Sequence, residues 1–285
     1  MHRRGSSTPS RGAGRLLALL AAMAVAMAAC SSAASHSAPA PTTTPPTVRI
    51  PSSTEPLRVV LSGDSVMLDN LAFAFVAALN GAGEALVTQS WLLALSRDVA
   101  SRLELRRIID EQHPDLLVMS MGVWELDAVE DEMHEPGWRG SYLEQVLQPF
   151  VDRATADGTH ILWVGIPAWN QSEPETADLQ TLQDIYRSLA REDDRVDFLD
   201  ASAFVDDAGA FTYELPGPDG TPEQVRSRDG LHYCPAGVVR VVEPALAWIE
   251  QRWPAAVAPD WQHSGWELDP EGGGLRDSFA ACAAA

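Results

Sequence analysis

The chain has 285 residues, 46% of them hydrophobic, and 40 acidic against 20 basic residues give a net charge of -20. Every basic residue is Arg. A body this acidic repels phosphate backbones and anionic lipid surfaces, which excludes nucleic acid as a partner and leaves only an anchor to hold the chain at a membrane.

Residues 1–15 are basic and polar, and residues 16–29 form an unbroken apolar run of 14. This is the n-region and h-region of a signal peptide, too short for a span of about 20 residues. The first 29 residues hold four Arg and no acid, so their removal takes the charge from -20 to -24. The run ends Met27-Ala28-Ala29-Cys30-Ser31, which resembles the lipobox of bacterial lipoproteins with Met27 where Leu is preferred. That resemblance implies lipidation at Cys30 and an export route ending at the extracytoplasmic face of the cell membrane. Ordinary cleavage after a small residue such as Ala28 would give a secreted protein instead. Residues 30–56 are almost all Ser, Ala, Thr and Pro, a solvated linker that cannot build a core.

A domain over residues 57–253 follows. Leu57-Arg58-Val59-Val60-Leu61 predicts a strand, Ser62-Gly63-Asp64 a tight turn, and the apolar residues from Val66 to Leu79 a helix, with Ser65 at the junction. A second strand is expected at 85–89, a helix at 98–112 and a strand buried on both faces at 115–121. A helix at 142–156, a buried strand at 160–166, a helix at 175–192, a short strand at 195–199 and a last helix at 235–252 complete the pattern. Strands alternating with helices predict a parallel sheet covered on both sides. Residues 254–285, with Trp261, Trp266 and several Pro and Gly, read as an irregular tail held by its aromatics and ending in disorder.

Two stretches carry chemistry. Ser65, at a strand's carboxyl end, presents a hydroxyl and a first-turn N–H able to hold an oxyanion. Asp229-Gly230-Leu231-His232, in the loop before the last helix, offers a carboxylate and an imidazole three residues apart. Such a carboxylate fixes the ring's tautomer and stabilises the imidazolium formed when a serine gives up its proton.

Gly63-Asp64-Ser65 and Asp229-Gly230-Leu231-His232 together resemble the SGNH/GDSL hydrolase superfamily, over about 190 residues from Leu57 to the helix after His232. The run from Asp229 to Gly237 also resembles exported SGNH-like proteins of actinobacteria. The resemblance implies a flavodoxin-like three-layer α/β/α sandwich with a parallel sheet, with Ser65 as nucleophile, His232 as general base and Asp229 as its orienting partner. It implies an ester hydrolase or acyltransferase that needs no cofactor or metal. Its substrate would be an acyl ester, which an exported enzyme would meet on an envelope glycan. The family's Gly-x-Asn-Asp block corresponds here to Gly122-Val123-Trp124-Glu125. Trp124 replaces the asparagine that donates to the oxyanion, so Ser65, Gly122 and Trp124 are the oxyanion candidates. Glu125 puts an anion beside the site unless it points away or binds substrate. A non-catalytic envelope-binding lipoprotein with a degenerate oxyanion hole is therefore the competing reading.

With Cys30 lipidated, Cys234 and Cys282 remain as an even pair in an oxidising compartment, and a disulfide between them is expected. His113, His134, His160 and His263 lack ligand spacing, so no zinc site is expected. Trp124, Trp138 and Trp169 follow strand ends, where they could line a sugar- or acyl-binding cleft.

Overall fold

The computed structural model describes residues 51–171, 173–271 and 274–282. The signal segment, Cys30, nearly all of the linker and the last three residues lie outside that range. Five parallel strands form the central sheet: β1 (Leu57–Gly63), β2 (Ala85–Trp91), β3 (Leu116–Ser120), β4 (His160–Val164) and β5 (Val196–Leu199). Their order is β2-β1-β3-β4-β5. The chain reverses its direction of travel across the sheet between β1 and β3, so a crevice opens at the carboxyl ends of those two strands.

Alternation of side chains explains the two covering layers. Val59 and Leu61 of β1, Val118 of β3 and Leu162 of β4 join one core. That core includes α1 (Ala72–Gly81) and α8 (Pro235–Arg252). Val60, Leu117, Met119, Ile161 and Trp163 point the other way. They meet α2 (Val99–Gln112), α3 (Val123–Val129), α4 (Trp138–Tyr142), α5 (Gln148–Ala154) and α6 (Glu173–Glu192). The result is the three-layer α/β/α sandwich that the resemblance implies.

The differences from the expected elements are local. A π-helical turn, Met67–Leu71, precedes α1, and another, Leu143–Leu147, joins α4 to α5 within the helix expected at 142–156. Helix α3 was not expected, since its seven residues are too few to show a period. The short α7 (Ser202–Val205) and a hairpin, β6 (Glu214–Pro216) with β7 (Pro222–Gln224), fill the loop before α8. Among the described residues beyond α8, Trp261, Trp266 and Phe279, with Ala256, are buried in the α1/α8 core, so the tail is held by its aromatics.

At Gly63 the backbone of β1 runs so close to β3 that a Cβ would sit 1.9 Å from the Ser120 carbonyl oxygen. Gly63→Ala should cost about 3 kcal/mol or more, because two paired strands must part to admit one methyl group. Gly140→Ala, on the exposed side of α4 with no atom within 4 Å of the new Cβ, should be neutral or stabilising by up to about 1 kcal/mol. Urea unfolding of the two variants checks the contrast; equal midpoints would mean that β1 and β3 are not tightly juxtaposed.

Candidate active site

The β1 strand delivers Ser65 to the crevice. Asp64 begins the helix: its carbonyl accepts the Met67 and Leu68 N–H groups, and its Oδ1 accepts the Val66 N–H at 3.0 Å. Ser65 is thus the first helical residue, and its own N–H has no intrahelical acceptor.

The second half of the site is a closed turn. Ser227 N–H donates to the His232 carbonyl at 2.8 Å, Gly230 N–H to the Ser227 carbonyl at 2.9 Å, and Gly230 turns the chain at φ +76°. A side chain there would also meet Asn170 Cβ at 2.6 Å. Asp229 Oδ1 accepts from Ser227 Oγ (2.5 Å), Leu231 N–H (2.8 Å) and His232 N–H (3.0 Å). Burial alone would raise this carboxyl, but these bonds and the His232 ring hold it down at about 2. Asp229 therefore stays an anion throughout the range in which proteins work.

The two halves meet across 167 residues of chain: Ser65 Oγ lies 2.8 Å from His232 Nε2, and His232 Nδ1 lies 2.7 Å from Asp229 Oδ2. With Nδ1–H donating to the anion, Nε2 carries the lone pair and accepts the Ser65 hydroxyl proton. His232 lines a cleft of about 660 Å³ with Asp69, Phe73, Asp229 and residues of the C-terminal segment. This is the hydrogen-bond order a serine nucleophile requires.

Behind the turn stand residues that sequence reasoning missed. Asn70, buried in the π-helical turn after Ser65, accepts the Tyr233 N–H at 3.1 Å. Arg226 is fully buried. It donates to the carbonyls of Leu231 (3.1 Å) and Ala168 (3.3 Å) and pairs with Asp206 at 3.3 Å. Its guanidinium also lies over the Tyr233 ring, 4.7 Å from the centroid. The one signal in the sequence was a polar Asn70 inside an apolar run.

The oxyanion candidates separate. Ser65 N–H faces the helix start and is available. The N–H groups of Gly122 and Val123 face the buried Asp64 carboxylate and favour its charged form. These contacts are too long or bent for full hydrogen bonds, since Asp64 Oδ2 has no partner within normal geometry. Trp124 stands half-exposed on the first turn of α3. Glu125 points away, buried, accepting from Tyr142 Oη at 2.8 Å and Ser96 N–H at 3.2 Å. Burial pushes its carboxyl up, against those bonds. Of the other tryptophans, Trp138 is buried against Tyr142, stacked at 5.1 Å, rather than lining the cleft. Cys234 and Cys282 form a disulfide, and Cys30 lies outside the described residues. No group of His, Cys, Asp and Glu among the described residues has metal-binding geometry.

Residues 58–248 match the family described as "Protein of unknown function (DUF459)". The chain belongs to the DUF459 family. No curated protein matches its sequence. Among solved structures, a mutant of an acetylxylan esterase from Geobacillus stearothermophilus is 13% identical, with TM-score 0.47 over 71% of this DUF459 chain and 96% of that one. The catalytic domain of a peptidoglycan O-acetyltransferase from Streptococcus pneumoniae is 15% identical, with TM-score 0.41 over 69% and 93%. A family 3 carbohydrate esterase from Clostridium thermocellum is 12% identical, with TM-score 0.44 over 69% and 96%. At TM-scores below 0.5 these likenesses carry no argument about chemistry, which rests on the geometry above.

Desolvation pushes Asp64 up to about 6, although Val66, Gly122 and Val123 N–H groups oppose it. The folded state therefore holds a proton that the unfolded chain, with a carboxyl near 4, has already released. Stability falls as pH rises from about 4 to 6, and the full penalty, roughly 3 kcal/mol, applies above that window. Asp64→Asn keeps an acceptor for Val66 N–H and removes the charge. Its unfolding free energy should exceed that of the unmodified protein at pH 7.5 and converge with it near pH 4. Asp206 is likewise raised to about 6 by burial despite Arg226, but Asp206→Asn strands a buried guanidinium and should destabilise at pH 7.5. Urea titrations at the two pH values test both signs.

Proposed function

We propose that this protein is an exported serine esterase that hydrolyses, or transfers, a short acyl group carried as an ester on an envelope glycan. The observation that carries the reading is the unbroken relay from Ser65 Oγ through the His232 ring to an ionised Asp229. Ser65 Oγ attacks the ester carbonyl carbon while His232 Nε2 takes its proton, and Asp229 stabilises the imidazolium. The tetrahedral oxyanion is held by Ser65 N–H, with the Trp124 indole N–H as the second donor in place of the family's asparagine. Collapse expels the alcohol, protonated by His232. Water, or a sugar hydroxyl in the transfer variant, then gives its proton to His232 and attacks the acyl-Ser65 carbonyl, releasing the acyl group and restoring the serine.

One feature favours the competing reading of a binding protein: Trp124 stands where the family's oxyanion-donating asparagine is expected. A fluorophosphonate probe separates the two. Labelling of the full-length protein that Ser65→Ala abolishes supports the esterase; no labelling of the native protein supports the binder. In the esterase, Asp229→Asn should lower turnover by roughly 10³-fold or more through the wrong imidazole tautomer. Trp124→Phe should lower it about 100-fold if the indole is the second donor, and unchanged turnover would remove that role.

Lipid anchoring at Cys30 is part of the proposal, with the acidic domain held off the membrane by the Pro-rich linker. In a bacterial host, labelling with an alkynyl fatty acid should mark the native protein and fail for Cys30→Ala. Equal labelling of both would place the anchor elsewhere.

A further inference from the structure

His232 and Asp229, of the relay that begins at Ser65, line one side of the cleft and leave the opposite wall unused. That wall is built by the C-terminal segment, where Asp269, Arg276 and Asp277 line the same cleft as His232. The segment cannot drift from the site. Cys282 is bonded to Cys234, two residues beyond His232, and Phe279 is fully buried and meets the Phe73 ring edge-on at 6.1 Å.

Arg276 is held in a particular way. Its Nε donates to the Trp266 carbonyl at 2.7 Å, and its guanidinium lies over Phe73, 4.2 Å from the ring centroid. One backbone bond and one aromatic face thus fix the plane of the head group. No carboxylate of the described residues forms an ion pair with it, although Asp69, Asp269 and Asp277 line the same cleft. The terminal nitrogens remain as fixed, uncommitted donors.

Charge then selects the acceptor. One guanidinium among the carboxylates of Asp69, Asp229, Asp269 and Asp277 leaves the cleft negative, so a phosphate or carboxylate entering it is opposed. Neutral oxygens are not. The volume of about 660 Å³ also exceeds what a short acyl chain fills, leaving room for an alcohol the size of a sugar.

We infer that Arg276 is a substrate-binding residue that hydrogen-bonds neutral hydroxyl or ring oxygens of the alcohol half of the ester, so that the disulfide-pinned C-terminal segment sets the preference for acylated sugars. The inference rests on the esterase reading and deepens it.

The test compares two acetyl esters with full-length protein: 6-O-acetylglucose, whose alcohol offers several oxygens, and p-nitrophenyl acetate, whose alcohol offers none of that kind. Arg276→Met keeps the length and the apolar stacking and removes the donors. It should raise KM for the sugar ester about tenfold or more, with kcat within twofold, and leave KM for the aryl ester within twofold. Arg276→Lys, which keeps the charge, should fall between the two and guards against a folding defect in the first variant. Equal losses on both esters, or an unmoved KM for the sugar ester, overturn the role of Arg276 alone. A native protein that cleaves only the aryl ester does the same. A native protein that cleaves neither ester and takes no fluorophosphonate overturns the esterase reading and this inference with it.

Discussion

A single buried hydrogen bond, Tyr233 N–H to Asn70 Oδ1 at 3.1 Å, decides where the two halves of the site meet. It joins the helical turn five residues after Ser65 to the residue directly after His232. Both partners are fully buried, so neither has water as an alternative, and breaking the bond would leave an unpaired amide in the core. The Ser65–His232 contact, at the part-exposed rim, is the weaker of the two joints and follows from the stronger one. Arg226 holds the other flank of the turn through two backbone carbonyls and Asp206. The relay residues can therefore stay partly exposed while the residues behind them carry the rigidity.

Buried charge is the cost of this arrangement, and it is concentrated at positions that aim something. Asp64 caps the helix that presents Ser65, and Glu125 ties α3 to the loop before α2 through Ser96. Both carboxyls are raised by burial, so each weakens the fold near neutral pH. The protein keeps them where a neutral side chain would aim the neighbouring backbone less firmly. Glu125 also resolves the apparent conflict of an anion beside an oxyanion site. Its carboxylate is turned into the layer of α4 and α6, bonded to Tyr142, which itself lies 3.4 Å from Tyr186.

Much of this was legible in the sequence, for physical reasons that also explain the rest. The strands β3 and β4 are continuous apolar runs because both their faces are covered, and that pattern is local. Ser65, Asp229 and His232 stand out because a serine at a strand end and a carboxylate three residues from an imidazole are short-range patterns. Arg226 and Asp206 do not stand out, and Asn70 does so only as a polar residue in an apolar run, since what matters in each is a partner 20 to 163 residues away. The tail was the hardest to read. Its Pro and Gly content suppresses any period, so its aromatics gave the hint that it belongs to the core, and the expected Cys234–Cys282 disulfide the hint that it lies near His232. Gly122 illustrates a further limit: its position after β3 is evident, but its place beside the buried Asp64 carboxylate is a contact across 58 residues of chain.

Whether the acyl group would pass to water or to a second sugar depends on what reaches the acyl-serine. The side chains of His232 and Asp229 are 25% and 50% exposed, so water has a path to the imidazole without any movement of the chain. Transfer would then require an acceptor hydroxyl bound firmly enough to displace that water, since an unbound sugar competes against a solvent present at far higher concentration. Among the described residues the uncommitted guanidinium donors of the cleft are those of the Arg276 wall, and on the proposed reading that wall already holds the departing alcohol. One set of donors can serve both roles in turn only if the first alcohol leaves before the acyl-enzyme breaks down. Hydrolysis needs no such exchange, and an open cleft with a single donor wall is better matched to it.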